Sequence, residues 1–274
     1  MIRLFNIEWE KLKSYRAFWV MVILYLFILA TIIFGLPAFL DFIASKTEDN
    51  VAIKAFKLIV FNFPDIWQNI SYVASMRAFI KIILAIIVVI IITNEFTFLT
   101  IRTNILSGMS RTEFLLGKME VIFMLSLLST AAIFISGFYL GLTNSSVITA
   151  GAIVGKTVYL LAYFIEVFTF LMFAFLIAVL VRKTGFSVII LLLYPLIEVI
   201  IQYNFIPENF HKYLPLNAMN HLIWSPNTSL IKVKTPEFNM EFQEFLSFSD
   251  VLVCILYTVF FTTIIYFYLK KKDL

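Results

Sequence analysis

The sequence predicts an all-α polytopic membrane protein: six transmembrane helices, an N-terminal interfacial amphipathic helix, and a short cytoplasmic helix between spans two and three. Three observations predict it. Of the 274 residues, 62% are hydrophobic and 14% charged, and mean hydropathy is +0.97, well beyond the roughly half-apolar make-up of a soluble domain. Six windows of about 20 apolar residues, enough to cross about 30 Å of hydrocarbon, fall near 17–40, 78–93, 119–142, 157–181, 186–206 and 251–269. These runs are continuous rather than alternating, which excludes barrel strands of about 10 residues. The chain, 1–274, reads as a single transmembrane domain.

In chain order, residues 1–16 carry Glu8, Glu10, Lys11 and Lys13, which interrupt any signal-peptide core. Ile2, Phe5, Trp9 and Leu12 recur at helical spacing opposite Arg3, Asn6, Glu10 and Lys13, so the segment is expected to lie in the interface with Trp9 at headgroup depth. A helix packed on the bundle is the alternative. After the first span, the outer loop near 41–77 holds Pro64, Trp67 and Tyr72 and is expected to lie against the membrane surface. Arg77 and Lys81 share a face at the outer end of the second span and should snorkel outward. Gly137, Gly141, Gly151 and Gly155 suit close helix packing. Spans four and five are joined by a short turn at 182–185, which makes them antiparallel neighbours. In the last outer loop, 207–249, come Pro207, Pro215, Pro226, Pro236 and Trp224; Phe238, Phe242, Phe245 and Phe248 predict an amphipathic helix leading into span six.

Charge sets the orientation. The termini, 94–118 and 182–185 hold about 12 basic residues in about 50 positions, against about 7 in about 93 for the other loops, so both termini are expected in the cytoplasm. The net charge of +4 is thereby explained without nucleic acid. Cys254, the single cysteine, permits no intrachain disulfide.

Catalytic motifs do not assemble. Residues 150–157, AGAIVGKT, resemble a phosphate-binding loop, but they enter a membrane helix rather than following a buried strand, and Lys156 reads better as an interfacial anchor. His211 and His221 lack metal-ligand spacing, and no nucleophile elbow occurs, so no cofactor, metal or catalytic residue is expected in this chain. Glu166 and Glu198 lie inside spans four and five at similar depth, about 22 and 18 Å above the cytoplasmic ends. They are pathway candidates, or alternatively protonated acids bonded to nearby hydroxyls. Pro195 should kink the helix beside Glu198.

The segment 94–118, NEFTFLTIRTNILSGMSRTEFLLGK, mixes charge with Phe96, Phe98, Ile101, Ile105, Leu106, Met109, Phe114 and Leu115. A turn is expected at Ser107 and Gly108, then a helix restarting at Ser110 as N-cap with Glu113 three residues on. The run resembles the permease subunits of type-2 ABC exporters, in which a glutamate ending span two is followed by an arginine, a Gly-x-Ser-Arg-like turn, an aromatic residue and a lysine entering span three. Here these are Glu95, Arg102, Gly108, Ser110, Arg111, Phe114 and Lys118; the family's glycine soon after the glutamate is missing from 96–101. The N-terminal helix, six spans, long last outer loop and KKKD ending at 270–273 extend the likeness along the chain.

The resemblance implies a membrane-spanning permease in a bacterial inner membrane. It would pair with a second permease copy or a paralogue and rest its coupling segment on a separate ABC ATPase subunit that binds ATP and magnesium. The runner-up is a non-transporting scaffold, immunity or sensor subunit recruiting a cytoplasmic partner. An aromatic, leucine-rich bundle suits lipid, peptide or hydrophobic drug alike, so the cargo is not specified.

Overall fold

A computed structural model describes residues 2–46, 57, 60–75, 80–145, 148–224, 234–235, 238–239, 243 and 245–271. Arg77, Pro226, Pro236, Phe242 and the last three residues lie outside the described residues, as does the side chain of Ile2. The fold is all-α and polytopic. In order come α1 (Ile2–Lys13), α2 (Arg16–Lys46), α3 (Ile66–Ser75), α4 (Lys81–Thr97), α5 (Thr100–Leu106), α6 (Arg111–Asn144), α7 (Ala150–Val154), α8 (Val158–Val181) and α9 (Thr184–Phe205). A 3-10 turn (Glu208–Tyr213), α10 (Pro215–His221), a two-residue antiparallel ladder of β1 (Lys234–Thr235) with β2 (Phe238–Asn239), and α11 (Phe248–Lys271) follow.

Among the described residues, five helices are long and apolar enough to cross a bilayer: α2, α6, α7 with α8, α9 and α11. The sixth is α4, whose 17 residues are continued by α5 across a bend of 66°. The chain is therefore a membrane protein. At the centre stands α8, with 72% of its apolar window buried, against 17% for α9 and for α11. It packs against α11, α4, α6, α9 and α3, so the outer helices keep broad apolar faces for lipid or a partner. Neither proline ends its helix: α2 runs through Pro37 and α9 through Pro195.

Three expectations about the segments expected on the outer side are corrected. Instead of lying on the membrane surface, the segment holding Trp67 enters the bundle as α3. Ile66, Trp67, Gln68, Asn69, Ile70, Ser71, Ala74 and Ser75 are all buried, and the Trp67 indole donates to the Ile153 carbonyl at 2.6 Å. Lys81 does not snorkel; it is fully buried and paired with Glu166. Among the described residues no amphipathic helix precedes span six: Phe238 belongs to the ladder and Phe245 lies before the helix, with Phe245 and Phe248 strongly exposed. The last outer segment is anchored by Gln243, whose carbonyl accepts from Gln68 at 2.8 Å while its amide donates to Leu222 at 2.8 Å.

The glycines separate into tight and open positions. A Cβ at Gly137 would sit 2.9 Å from the Trp67 ring, one at Gly141 would overlap the Phe63 ring, and one at Gly155 would meet Pro64 at 3.1 Å. Nothing lies within 4 Å at Gly151, so the packing role expected for it is not needed. Gly137→Ala and Gly141→Ala are accordingly expected to lower stability by about 1–3 kcal/mol through overpacking. Gly151→Ala should stay within about 0.5 kcal/mol. Thermal unfolding of detergent-solubilised protein checks both.

Candidate functional site

The bend between α4 and α5 is built by local chemistry. Leu99 adopts a left-handed conformation (φ 55), and the chain turns there. Gly108 (φ 95) ends α5 in a Schellman motif: its N–H reaches the Ile105 carbonyl and the Met109 N–H reaches the Asn104 carbonyl, both at 3.0 Å. Ser110 then opens α6 with a full capping box, accepting from the Glu113 N–H at 3.1 Å while the Glu113 carboxylate accepts from the Ser110 N–H at 2.7 Å. The short helix therefore precedes the Ser107 and Gly108 turn, and the Ser110 restart is the beginning of span three itself. With both ends of the turn closed by hydrogen bonds, α5 is held as a rigid corner.

Beneath the corner lies a buried charge network. The Lys118 ammonium, 1% exposed at its side chain, contacts Glu8 Oε2 and Glu95 Oε1, each at 2.6 Å. Lys11 adds 2.9 Å to Glu95 Oε1 and 3.4 Å to Glu8, and the Thr100 hydroxyl donates to the Glu95 carboxylate. Lys118 also sits 5.3 Å from the centre of the Phe114 ring. Burial alone would push the Lys11 ammonium down, but Glu8 and Glu95 together push it up. Two carboxylates and two ammoniums make a neutral set, which is the condition under which charges persist away from water. The set ties α1, the end of α4, the start of α5 and the first turns of α6 into one unit, and the Asn94 amide adds a bond to the Tyr15 hydroxyl at 3.2 Å.

The structure thus divides the seven residues expected to couple. Glu95, Phe114 and Lys118 are buried inside the unit. Arg111 is occupied, donating to the carbonyls of Leu269 and Lys270 at 2.6 Å and closing the C-terminal end of α11. Arg102, Gly108 and Ser110 are exposed. Beside Arg102 stand Leu106, 87% exposed, Phe98, 70%, and Leu99, 52%. Leu99, Arg102, Thr103 and Leu106 follow the i, i+3, i+4, i+7 rule, so they form one outward stripe, while Ile101 faces inward.

Sequence reasoning missed Glu8 and Lys11. A signal existed: the buried stripe of α1 is Leu4, Glu8 and Leu12, an acid between two leucines at i, i+4, i+8. α1 therefore packs on α6 through that stripe, the alternative placement, while Phe5 and Trp9 stack with each other at 6.1 Å and Trp9 meets Trp19 edge-on at 6.1 Å.

The two intramembrane acids belong to separate clusters. Glu166 is fully buried against Lys81, which also reaches Asn220 at 3.3 Å and lies 5.6 Å from the centre of the Phe170 ring. Its partners are thus a cation and the Ser75 hydroxyl. Glu198 accepts the backbone N–H groups of Leu216 at 2.9 Å and Asn217 at 2.7 Å, capping α10. The AGAIVGKT run forms α7 capped by Thr149, and Lys156 pairs with Asp65 at 2.5 Å. His211 bonds Gln202 and the Ile206 carbonyl, and His221 meets Asp250 at 3.2 Å; among the described residues no three His, Cys, Asp or Glu gather as a metal set.

No curated protein matches the chain. The model of one family, described as "Protein of unknown function (DUF2705)", matches residues 60–274, which include the bend, Lys118 and the Lys81 and Glu166 pair; the chain belongs to that family.

Proposed function

We propose that this chain is the membrane-spanning subunit of an ATP-driven exporter, coupling hydrolysis by a separate ABC ATPase to efflux. The observation that carries the reading is the α4–α5 corner: an outward stripe of Leu99, Arg102, Thr103 and Leu106, with Phe98 exposed ahead of it, on a short helix closed at its C-terminal end by a Schellman turn. Beneath it a buried ionic set reaches three other helices. A partner gripping the stripe moves α4, α6 and α1 together, because breaking the set would leave an unpaired buried charge.

In this reading the corner and both termini face the cytoplasm of a bacterial inner membrane, a second permease copy or paralogue completes the pathway, and ATP and magnesium bind the partner. Glu166 with Lys81 is the polar centre suited to a pathway. Glu198, with both oxygens taken by backbone N–H groups, acts first as a helix cap.

The test is purification from the native membrane. Leu106→Glu and Arg102→Glu, at exposed positions, are expected to leave the unfolding midpoint within about 0.5 kcal/mol of the parent. Recovery of a co-purifying ATPase should fall about tenfold or more, as expected for losing a well-packed interface anchor. A partner recovered without ATP hydrolysis supports the scaffold or sensor reading instead. Unchanged recovery of the ATPase removes the corner from the interface.

A further inference from the structure

The level at which the corner stands is set by α6. That helix has 34 residues, about 51 Å at about 1.5 Å per residue, whereas a bilayer with its headgroups is about 40–45 Å thick. Its apolar window opens near 119, eight residues after Arg111. The first turn therefore lies about 12 Å outside the hydrocarbon, past a headgroup layer of about 5–8 Å. Leu106, 87% exposed, is joined to that turn through the Schellman motif, so it stands in water and not in lipid.

Two other segments of the chain end at the same level. Arg111 holds the carbonyls of Leu269 and Lys270 at 2.6 Å, which brings the exposed Lys270 and Lys271 to the start of α6. Glu8 meets Lys118, and five residues earlier on each helix the charge of Arg3 reaches Glu113, so the start of α1 runs alongside the start of α6. Arg3 and Arg102 are exposed as well. Acids do not balance these cations. Among the described residues of these segments, Glu8 and Glu95 are buried with Lys118 and the Glu113 carboxylate accepts from the Ser110 N–H. That leaves Glu10, about two turns along α1 from Arg3.

We propose that the partner gripping the corner offers an apolar pocket rimmed by carboxylates, with Leu106 entering the pocket and Arg3, Arg102, Lys270 and Lys271 meeting the rim. This rests on the exporter reading for the existence of the partner and adds the chemistry of its surface. An apolar centre inside a polar rim is the common anatomy of a protein interface, and a rim of one sign selects a partner of the other. A nucleic acid would pair with the cations but leave Leu106 uncovered, and the membrane surface does not reach the level of that side chain.

Recovery of the ATPase with the chain purified from native membranes, washed at about 0.1 M or about 1 M sodium chloride, tests the rim, because the screening length falls from about 10 Å to about 3 Å between the two. Recovery is expected to fall about tenfold or more at the higher salt. R3Q/K270Q/K271Q, at exposed positions, should keep the parent's unfolding midpoint, lower recovery about tenfold at the lower salt and lose most of the salt dependence. K212Q, on the 3-10 turn, should match the parent; an equal loss there would make the effect one of net charge and overturn the rim. Should the triple variant fail to fold, the salt series decides alone. Recovery equal at both salts, or unchanged in the triple variant, overturns the acidic rim and leaves the exporter reading standing. Loss of bound phosphatidylglycerol in the triple variant without loss of the ATPase assigns the cations to the membrane and overturns the rim as well. No ATPase at either salt overturns both.

Discussion

Lys118→Met is expected to destabilise the protein by about 3–5 kcal/mol, the usual cost of removing one partner from a buried ionic set. The ammonium is the hub. It is the cation that bonds both Glu8 and Glu95 at 2.6 Å, and its loss leaves those carboxylates sharing the half-exposed Lys11. The effect should concentrate on α1, whose inward stripe places Glu8 between Leu4 and Leu12. Protease cleavage within α1 is expected to rise in K118M while the spans stay protected. Thermal unfolding and cleavage rates in the same detergent check this. Adding Glu8→Gln and Glu95→Gln to K118M should recover much of the stability, because no buried charge is then unpaired. If K118M unfolds like the parent, the set is not the tie that joins α1 to the corner.

The second large effect concerns Lys81 and Glu166. Each is fully buried, on α4 and α8, and α8 is the helix around which the others pack. Either Lys81→Met or Glu166→Gln alone is expected to cost about 3–5 kcal/mol, because the remaining partner loses its counter-ion in a place water does not reach. The double variant K81M/E166L should regain most of that loss or exceed the parent, as buried pairs replaced by apolar residues often do. A double-mutant cycle read by thermal unfolding gives the coupling. Additive single effects would mean the pair is not a unit. The stable double variant also separates roles: lost efflux with intact assembly supports a pathway centre, and full efflux leaves the pair as a structural pin.

What the sequence made legible followed from local rules. Continuous apolar runs marked the spans, the Ser110 and Glu113 spacing marked the start of α6, and Gly137 and Gly141 marked close approach. Their outcomes depend on neighbours within one or two turns, or on hydrophobicity alone. The extents were less legible. α6 begins at Arg111, eight residues before the apolar window, because the capping box rather than hydropathy decides where a helix starts. The turn at Ser107 and Gly108 was legible, but the burial of Glu95 and Lys118 was not, since charge suggests exposure until a counter-ion is seen.

The misses share one cause. Glu8 meets Lys118 across 110 positions and Lys81 meets Glu166 across 85, separations at which no spacing rule operates. α3 was hidden because Pro64, Trp67 and Tyr72 read as a loop lying on the membrane surface, whereas Trp67 and the polar Gln68, Asn69, Ser71 and Ser75 sit inside the bundle and Gln68 is bonded to the distant Gln243. The phenylalanine spacing from Phe238 failed in the opposite sense: its period suggested a helix, yet the backbone at Phe238 pairs in a ladder and the helix described after it starts at Phe248.

The most direct test of the docking corner uses the chain's own cysteine economy. Cys254 is its one cysteine and is buried, so Leu106→Cys introduces the accessible thiol. Cross-linking from that thiol in native membranes should capture a chain that hydrolyses ATP, with no such adduct from Gly151→Cys, in the segment expected to face outward. An ATPase adduct of equal yield from both positions, or none from Leu106→Cys, would contradict the claim that the corner is where the partner grips.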